Sequence, residues 1–303
     1  MAIFPLGAII KNRREELGLT QEDLADGVCS VPTLSRIENG ERIPTNNHME
    51  MLMQRLGYSA MSIDYFADRN SFQLHELKFK IRQAYMFGEY QHAKQLHSEL
   101  TNIYNTQSKI DTQFYQLYRI LLDQEAEHIA NKKEKLESAL KLTCLRYKQG
   151  SISKVLSYEE IILLNNIAIC YAEEGNISEA ISILSKLKDY YASQIINTEE
   201  AVRTQLMVYY NLSKYLGQSG RYDECIDICN LGIRIARKTG HCLSLHLTFY
   251  NHAWALIKRN DDGDIDKAQK SLERAIAMAD ALGFSEDHAH MVSYYNRIFK
   301  KSE

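Results

Sequence analysis

Proline is almost missing from this 303-residue chain, and its three examples (Pro5, Pro32 and Pro44) all fall in the first 44 residues. The remaining 259 residues have none, and glycine is sparse at 14. A proline-free stretch of that length, rich in Leu, Ile, Tyr and Ala, predicts helices rather than turn-rich β-structure. No run of 18 apolar residues is present, which excludes a single-pass membrane helix and leaves no expected membrane partner. The opening Met1-Ala2-Ile3-Phe4-Pro5 lacks the charged and apolar regions of a signal peptide, so the expected compartment is the cytoplasm. Six cysteines in so long a chain do not make a disulfide framework. Cys225 and Cys229 share a helix face near His241 and Cys242, but small soft residues at helix-packing positions explain them better than a metal, and no metal or cofactor is expected. Net charge is only −3, so bulk electrostatics name no partner. There is no Gly-rich phosphate loop, no metal-spaced His/Cys set and no nucleophile motif, which argues against an enzyme. Glu159-Glu160 and Glu173-Glu174 are adjacent pairs that point apart on a helix, as solvated faces do.

What is present divides at about residue 68. Residues 1–68 contain two short helical segments joined by a tight turn. Thr20 can cap the first, with Gln21-Glu22-Asp23 placing carboxylates in its first turn, where the helix dipole favours them. Leu24 and Ala25 give it a buried side. Asp26-Gly27-Val28-Cys29 form the turn. Ser30 can cap the second helix, Pro32 is tolerated in its first turn, and Gly40 ends it. Leu34 and Ile37 face inward, leaving Thr33, Ser35 and Arg36 outward. This is the geometry of a reader that inserts the first turns of its second helix into the major groove, where Arg36 can pair with guanine or hold a phosphate. The candidate DNA-contacting set is Gln21, Ser30, Val31, Pro32, Thr33, Ser35, Arg36, Asn39 and Arg42. Residues 1–68 are net acidic, six Lys/Arg against ten Asp/Glu, so only a local cluster of Lys11, Arg13, Arg14, Arg36 and Arg42 supplies a basic footprint. Affinity for double-stranded operator DNA then calls for a homodimer.

Leu6 to Phe66, about a fifth of the chain, resembles the Xre-type helix-turn-helix family. The resemblance implies a five-helix domain in which Gln21 and Asn39 anchor backbone phosphates and Arg13 pairs internally with Glu38. The short turn ending in Cys29 is similar to the peptide-pheromone branch, the RRNPP regulators of PlcR-like and Rgg-like type.

From residue 69 to 303 a plan recurs: an apolar-periodic helix, a small turn, then a helix with a small residue near its start. The turns are Gly88-Glu89-Tyr90, Glu174-Gly175-Asn176, Ser219-Gly220-Arg221 and Asp262-Gly263-Asp264, each followed by Ala93, Ala180, Cys225 or Ala268. Phe114 to Leu142 is a more degenerate unit. This resembles the tetratricopeptide repeat, with a period of 43–45 residues against the usual ~34. The expectation is a right-handed superhelix of about five helix pairs over 72–284, capped by a helix from Ser285 to Lys300, with a concave inner wall. The whole is an all-α chain.

Inside that repeat runs a second one. Asn166, Asn211, Asn251 and Asn296 fall 45, 40 and 45 residues apart, the last three in the contexts Tyr209-Tyr210-Asn211, Phe249-Tyr250-Asn251 and Tyr294-Tyr295-Asn296. Each amide can donate and accept, which is what an extended peptide backbone asks for. The alternative is that these Asn residues bond neighbouring helices and only hold the superhelix. Arg203, Met207 and Lys214 lie on the Asn211 face, and Trp254 and Lys258 on the Asn251 face. Asn clamps on a bound pheromone are also what the family resemblance implies. The candidate peptide-binding set is therefore Asn166, Arg203, Tyr210, Asn211, Lys214, Tyr250, Asn251, Trp254 and Asn296. The expected function is a transcription regulator controlled by a short signalling peptide. The rival is a helix-turn-helix regulator whose repeats bind a protein partner.

Overall fold

The computed structural model describes residues 6–58, 69–103, 107–123, 129–145, 147, 152–194, 196, 198–242 and 244–300. Among them there are fifteen α-helices and no strand. The chain forms two compact units, Met1–Cys170 and Tyr171–Glu303.

The first unit opens with α1 (Leu6–Glu16), α2 (Gln21–Ala25), α3 (Val31–Glu38) and α4 (Asn46–Arg55). The fifth helix expected for this region, and the expected boundary at residue 68, fall outside the described residues. Then come α5 (Arg69–Met86), α6 (Tyr90–Leu100), α7 (Lys109–Leu122), α8 (Ile129–Leu140) and α9 (Tyr158–Glu173), the last of which crosses into the second unit. The core of the first four helices holds Ile10, Leu24, Leu34, Ile37, Leu52 and Leu56, and it is completed by Val155 from just before α9. Val155 is fully buried there, 97 residues after the end of the described reader segment at Tyr58.

Charge ties this unit together where a hydrophobic core alone would be expected. Arg55, at the end of α4, is 1% exposed in its side chain and lies 2.7 Å from Glu160 of α9, which is 0% exposed. The same guanidinium donates to the carbonyls of Leu24 (3.1 Å), Asp26 (2.6 Å) and Thr143 (3.3 Å). Glu160 accepts in turn from the Thr143 hydroxyl (2.7 Å) and the Ser157 amide (2.6 Å). A second cluster joins α4, α5, α7 and α9: Lys78 pairs with Asp111 at 2.5 Å, and Arg82 bridges Glu50 (2.8 Å) and Glu159 (2.7 Å). Glu159 and Glu160, read from sequence as solvated faces, are instead both buried and paired. Adjacent helical positions do point apart, but both directions meet packed helices here.

The second unit holds α10 (Ile177–Ala192), α11 (Glu199–Gln218), α12 (Tyr222–Thr239), α13 (Leu245–Arg259), α14 (Asp264–Ala281) and α15 (Ser285–Phe299). From α5 onward the helices follow one another as five pairs and a final α15, the expected count. The small residues after each turn, Ala93, Ala180, Cys225 and Ala268, are 0–1% exposed, as residues at helix-packing positions are. No described helix is long and apolar enough to cross a membrane.

The buried carboxylates should make the first unit acid-sensitive. Burial would raise the Glu50 carboxyl, but Lys78 and Arg82 hold it down at about 2 against an ordinary 4.5. An acid whose folded pKa is depressed contributes stability that is full above 4.5 and is lost as pH falls from there toward 2. Chemical denaturation between pH 2 and 7 should show stability falling across that window. In Glu50→Gln, stability should be lower at pH 7 and its acid dependence shallower. An unchanged slope would show that the ion cluster does not set the acid limit.

Candidate DNA-reading helix and peptide face

The reader is built by its caps. Thr20 Oγ1 accepts from the Asp23 amide at 3.1 Å, and Asp23 Oδ2 accepts from the Thr20 amide at 3.1 Å, a reciprocal box that starts α2. Ser30 caps α3 by accepting from the Thr33 amide at 3.3 Å, with Pro32 in the first turn. The turn between them needs Gly27. Its φ is +71°, and an added Cβ would come within 1.7 Å of the Thr143 carbonyl oxygen, so the turn lies directly on the turn that follows α8.

Glu38, at the other end of α3, is the anchor. Arg14 grips it with two bonds, Nε at 2.6 Å and Nη2 at 3.0 Å, and Gln21 Nε2 donates to the same carboxylate at 2.8 Å. The expected partner was Arg13, and the structure corrects this to Arg14. Gly7, Ile10 and Arg14 share the α1 face that meets α3, where Gly7 lets the backbone come so close that a Cβ would lie 2.0 Å from Ile37 O. Arg13 is turned one position around the helix, to Leu56 O (3.2 Å) and Glu16 (3.0 Å).

That anchoring leaves the outward face as expected. Ser30, Pro32, Arg36, Asn39 and Arg42 are exposed, and Gln21, Val31, Thr33 and Ser35 half-buried. The Arg36 side chain is 62% exposed, its closest carboxylate Glu41 at 3.9 Å. Thr33 and Ser30 share a hydroxyl–hydroxyl bond of 2.9 Å. Sequence reasoning missed two ties that hold α2 and the start of the turn: Lys154 to Asp23 at 3.0 Å, and Arg55 to the carbonyls of Leu24 and Asp26. Nothing local in the sequence signals either, since Arg55 lies 31 and 29 residues from its partners and Lys154 lies 131 from Asp23.

In the second unit the candidate peptide residues divide by what already occupies them. Asn251 Nδ2 donates across to α11, to Tyr210 O (3.3 Å) and Ser213 Oγ (3.0 Å). Asn211 is buried at 6%. Trp254 lies against Gly217 of α11 and meets Tyr222 edge-on at 5.9 Å, with Lys258 over its ring. These contacts bring the Asn251, Tyr210 and Trp254 positions together at the α11–α13 junction. Tyr250 shares a 3.1 Å hydrogen bond with His290 and packs edge-on against Tyr294 of α15. Tyr210 is half-buried, its hydroxyl pushed up by burial and by Asp287. Arg203 is paired with Glu199, and burial lowers its pKa. Lys214 stands over the Tyr215 ring at 5.4 Å. Asn296 is exposed on α15. Asn166 belongs to the first unit, where its amide donates to Ile162 O of its own helix at 2.8 Å. Sequence reasoning did not find His246, which is buried, stacked on Phe284 at 4.5 Å and bonded to Asp287 at 3.0 Å. A lone histidine in an apolar helix carries no such signal.

The Arg14–Glu38 pair is directly testable. Arg14→Ala should cost about 3–5 kcal/mol, because it strands a buried carboxylate. Arg13→Ala should cost about 1–3 kcal/mol for its bond to Leu56 O. Double-mutant cycles in urea should couple Glu38 to Arg14 and not to Arg13. Coupling to Arg13 would reverse the correction.

Comparisons agree with this architecture. The helix-turn-helix family matches residues 10–61, and the family described as the RNPP family C-terminal domain matches residues 83–286. No curated protein matches the chain. Among solved structures, Bacillus thuringiensis PlcR in complex with the peptide PapR7 and DNA is 21% identical, with a TM-score of 0.58 over 96% of this chain and 99% of that one. ComR from S. thermophilus in complex with DNA and its signalling peptide ComS is 15% identical, with a TM-score of 0.52 over 95% and 98%. At these identities the likeness shows the fold.

Proposed function

Because this chain belongs to the RNPP family, whose C-terminal domain spans most of its length, we propose that it is a DNA-binding transcription regulator controlled by a short signalling peptide. The observation that carries the reading is the union of a helix-turn-helix over 10–61 with that C-terminal domain over 83–286 in one chain. PlcR and ComR, which share the fold, were each solved with a peptide and DNA. Such a regulator works in the cytoplasm, as a homodimer on a two-fold operator, and carries out no chemical step.

On DNA, α3 enters the major groove with Ser30, Val31, Pro32, Thr33, Ser35 and Arg36 toward base edges, while Gln21, Asn39 and Arg42 meet phosphates. The exposed Arg36 guanidinium supports this role. Arg36→Ala or Thr33→Ala should weaken binding to the native operator by about 1–3 kcal/mol per half-site, measured by anisotropy at fixed salt. Light scattering of the same mixture should give two chains per operator. Unchanged affinity in both variants, with the fold intact, would overturn the assignment of α3, and a 1:1 complex would overturn the dimer.

The peptide face lies in the second unit, on Arg203, Tyr210, Asn211, Lys214, Tyr250, Asn251, Trp254 and Asn296 of α11, α13 and α15, and Asn166 on α9 is a separate candidate in the first unit. Packed helices stand about 8–10 Å apart and an extended chain rises about 3.3 Å per residue, so an Asn meets the peptide about every third residue. Since the Asn251 amide N–H groups already hold α11, its clamp acts through the carbonyl oxygen. Calorimetry of Asn211→Ala and Asn251→Ala with the cognate peptide should show losses of about 1–3 kcal/mol each. Wild-type affinity in both would leave these Asn residues as helix-to-helix bonds alone.

A further inference from the structure

The second unit has a large open groove that none of the candidate peptide residues lines. It encloses about 1100 Å³ between α12 and α14, with α13 along its floor. Phe249, His252, Leu256 and Arg259 of α13 face it, on the side of the helix opposite Tyr250, Asn251 and Trp254. Ile226 and Ile233 of α12 extend the apolar floor.

The walls are cationic. Arg234 and Arg237 stand on α12, Lys270 and Arg274 on α14, and all four are exposed. None of the four has a carboxylate within ion-pair distance among the described residues. By contrast, Arg259 is held by Asp223 and Asp264, and Lys188 by Asp189. Arg274 lies over the Phe249 ring at 5.9 Å, so one cation already rests on the floor it guards. Asp227 is the one acidic residue in the lining. The field inside is felt by His252: burial first, then Arg259 and Arg274, lower it to about 4, although Asp264 pulls the other way.

Unpaired guanidiniums opposite an ammonium, above an apolar floor, complement a ligand that carries carboxylates and apolar side chains together. The volume exceeds the ~300–1000 Å³ of ordinary small-molecule pockets, and the groove is open to solvent, which suits a polypeptide segment. A DNA backbone would leave the apolar floor uncovered. We propose that this groove is a second docking site, for an acidic segment of a partner protein in which Asp or Glu alternates with Leu or Phe. Period-two alternation places the acids toward the walls and the apolar side chains on the floor.

The test uses the full-length protein and a fluorescein-labelled ten-residue peptide alternating Glu and Leu, with a Lys/Leu peptide and inorganic tripolyphosphate as further probes. The Glu/Leu peptide should bind and weaken as salt rises, and the Lys/Leu peptide should not bind. The double substitution Arg234→Glu with Lys270→Glu should reduce affinity at least tenfold. Lys238→Glu, an equal charge change per site on α12 but outside the groove, should stay within twofold. Circular dichroism melting confirms that each variant is folded. Equal loss in Lys238→Glu would mean that bulk charge is responsible and overturn the site. Displacement by tripolyphosphate at matched charge concentration, or equal binding of both peptides, would overturn the acidic-segment occupant.

Discussion

The first unit is organised around the pair of Arg55 and Glu160. Two fully buried charges 2.7 Å apart are costly to desolvate, and the hydrogen bonds with Leu24, Asp26, Thr143 and Ser157 offset much of that cost, although Arg55 Nε finds no partner among the described residues. The consequence is directional. A hydrophobic contact between α4 and α9 would tolerate sliding, whereas five hydrogen bonds with four residues fix one arrangement. That arrangement sets the turn between α2 and α3, since Arg55 binds the carbonyls on either side of Ala25.

A chain of anchors leads from this pair to the outward face of the reader. Arg55 holds the end of α2, Gly27 rests on Thr143, and Glu38 gathers Arg14 and Gln21 beneath α3. Helix α3 is therefore anchored at its C-terminal end by buried polar contacts, while Ser30, Pro32 and Arg36 stay exposed. The reader carries few surface cations, and its acidic residues Asp23 and Glu38 are largely engaged in internal bonds.

The second unit solves a different problem. Its helices pack through small residues, and α13 presents two unlike faces. Toward α11 it offers Asn251 and Trp254, which are engaged in helix-to-helix contacts; toward α12 and α14 it offers Phe249 and His252 beneath unpaired cations. The Asn repeat therefore has a structural use at Asn251 whatever ligand it meets, because its half-buried amide already bonds α11.

Helix content, the Thr20 and Ser30 caps, the Gly27 turn, the five pairs and the final helix were all legible in the sequence, because each depends on residues within a turn or two of one another. Caps, glycines and apolar periodicity act locally, so their meaning survives without coordinates. What the sequence left open are choices between neighbours and partners far apart in the chain. Arg13 or Arg14 for Glu38, Glu159 and Glu160 as solvated or buried, and Val155 as a member of the reader's core are decided by which faces meet when helices pack. The cationic groove belongs to this second kind, since Arg234 and Lys270 are ordinary surface residues on their own helices. Only tertiary packing sets them across an apolar floor whose lining includes a single acid, Asp227.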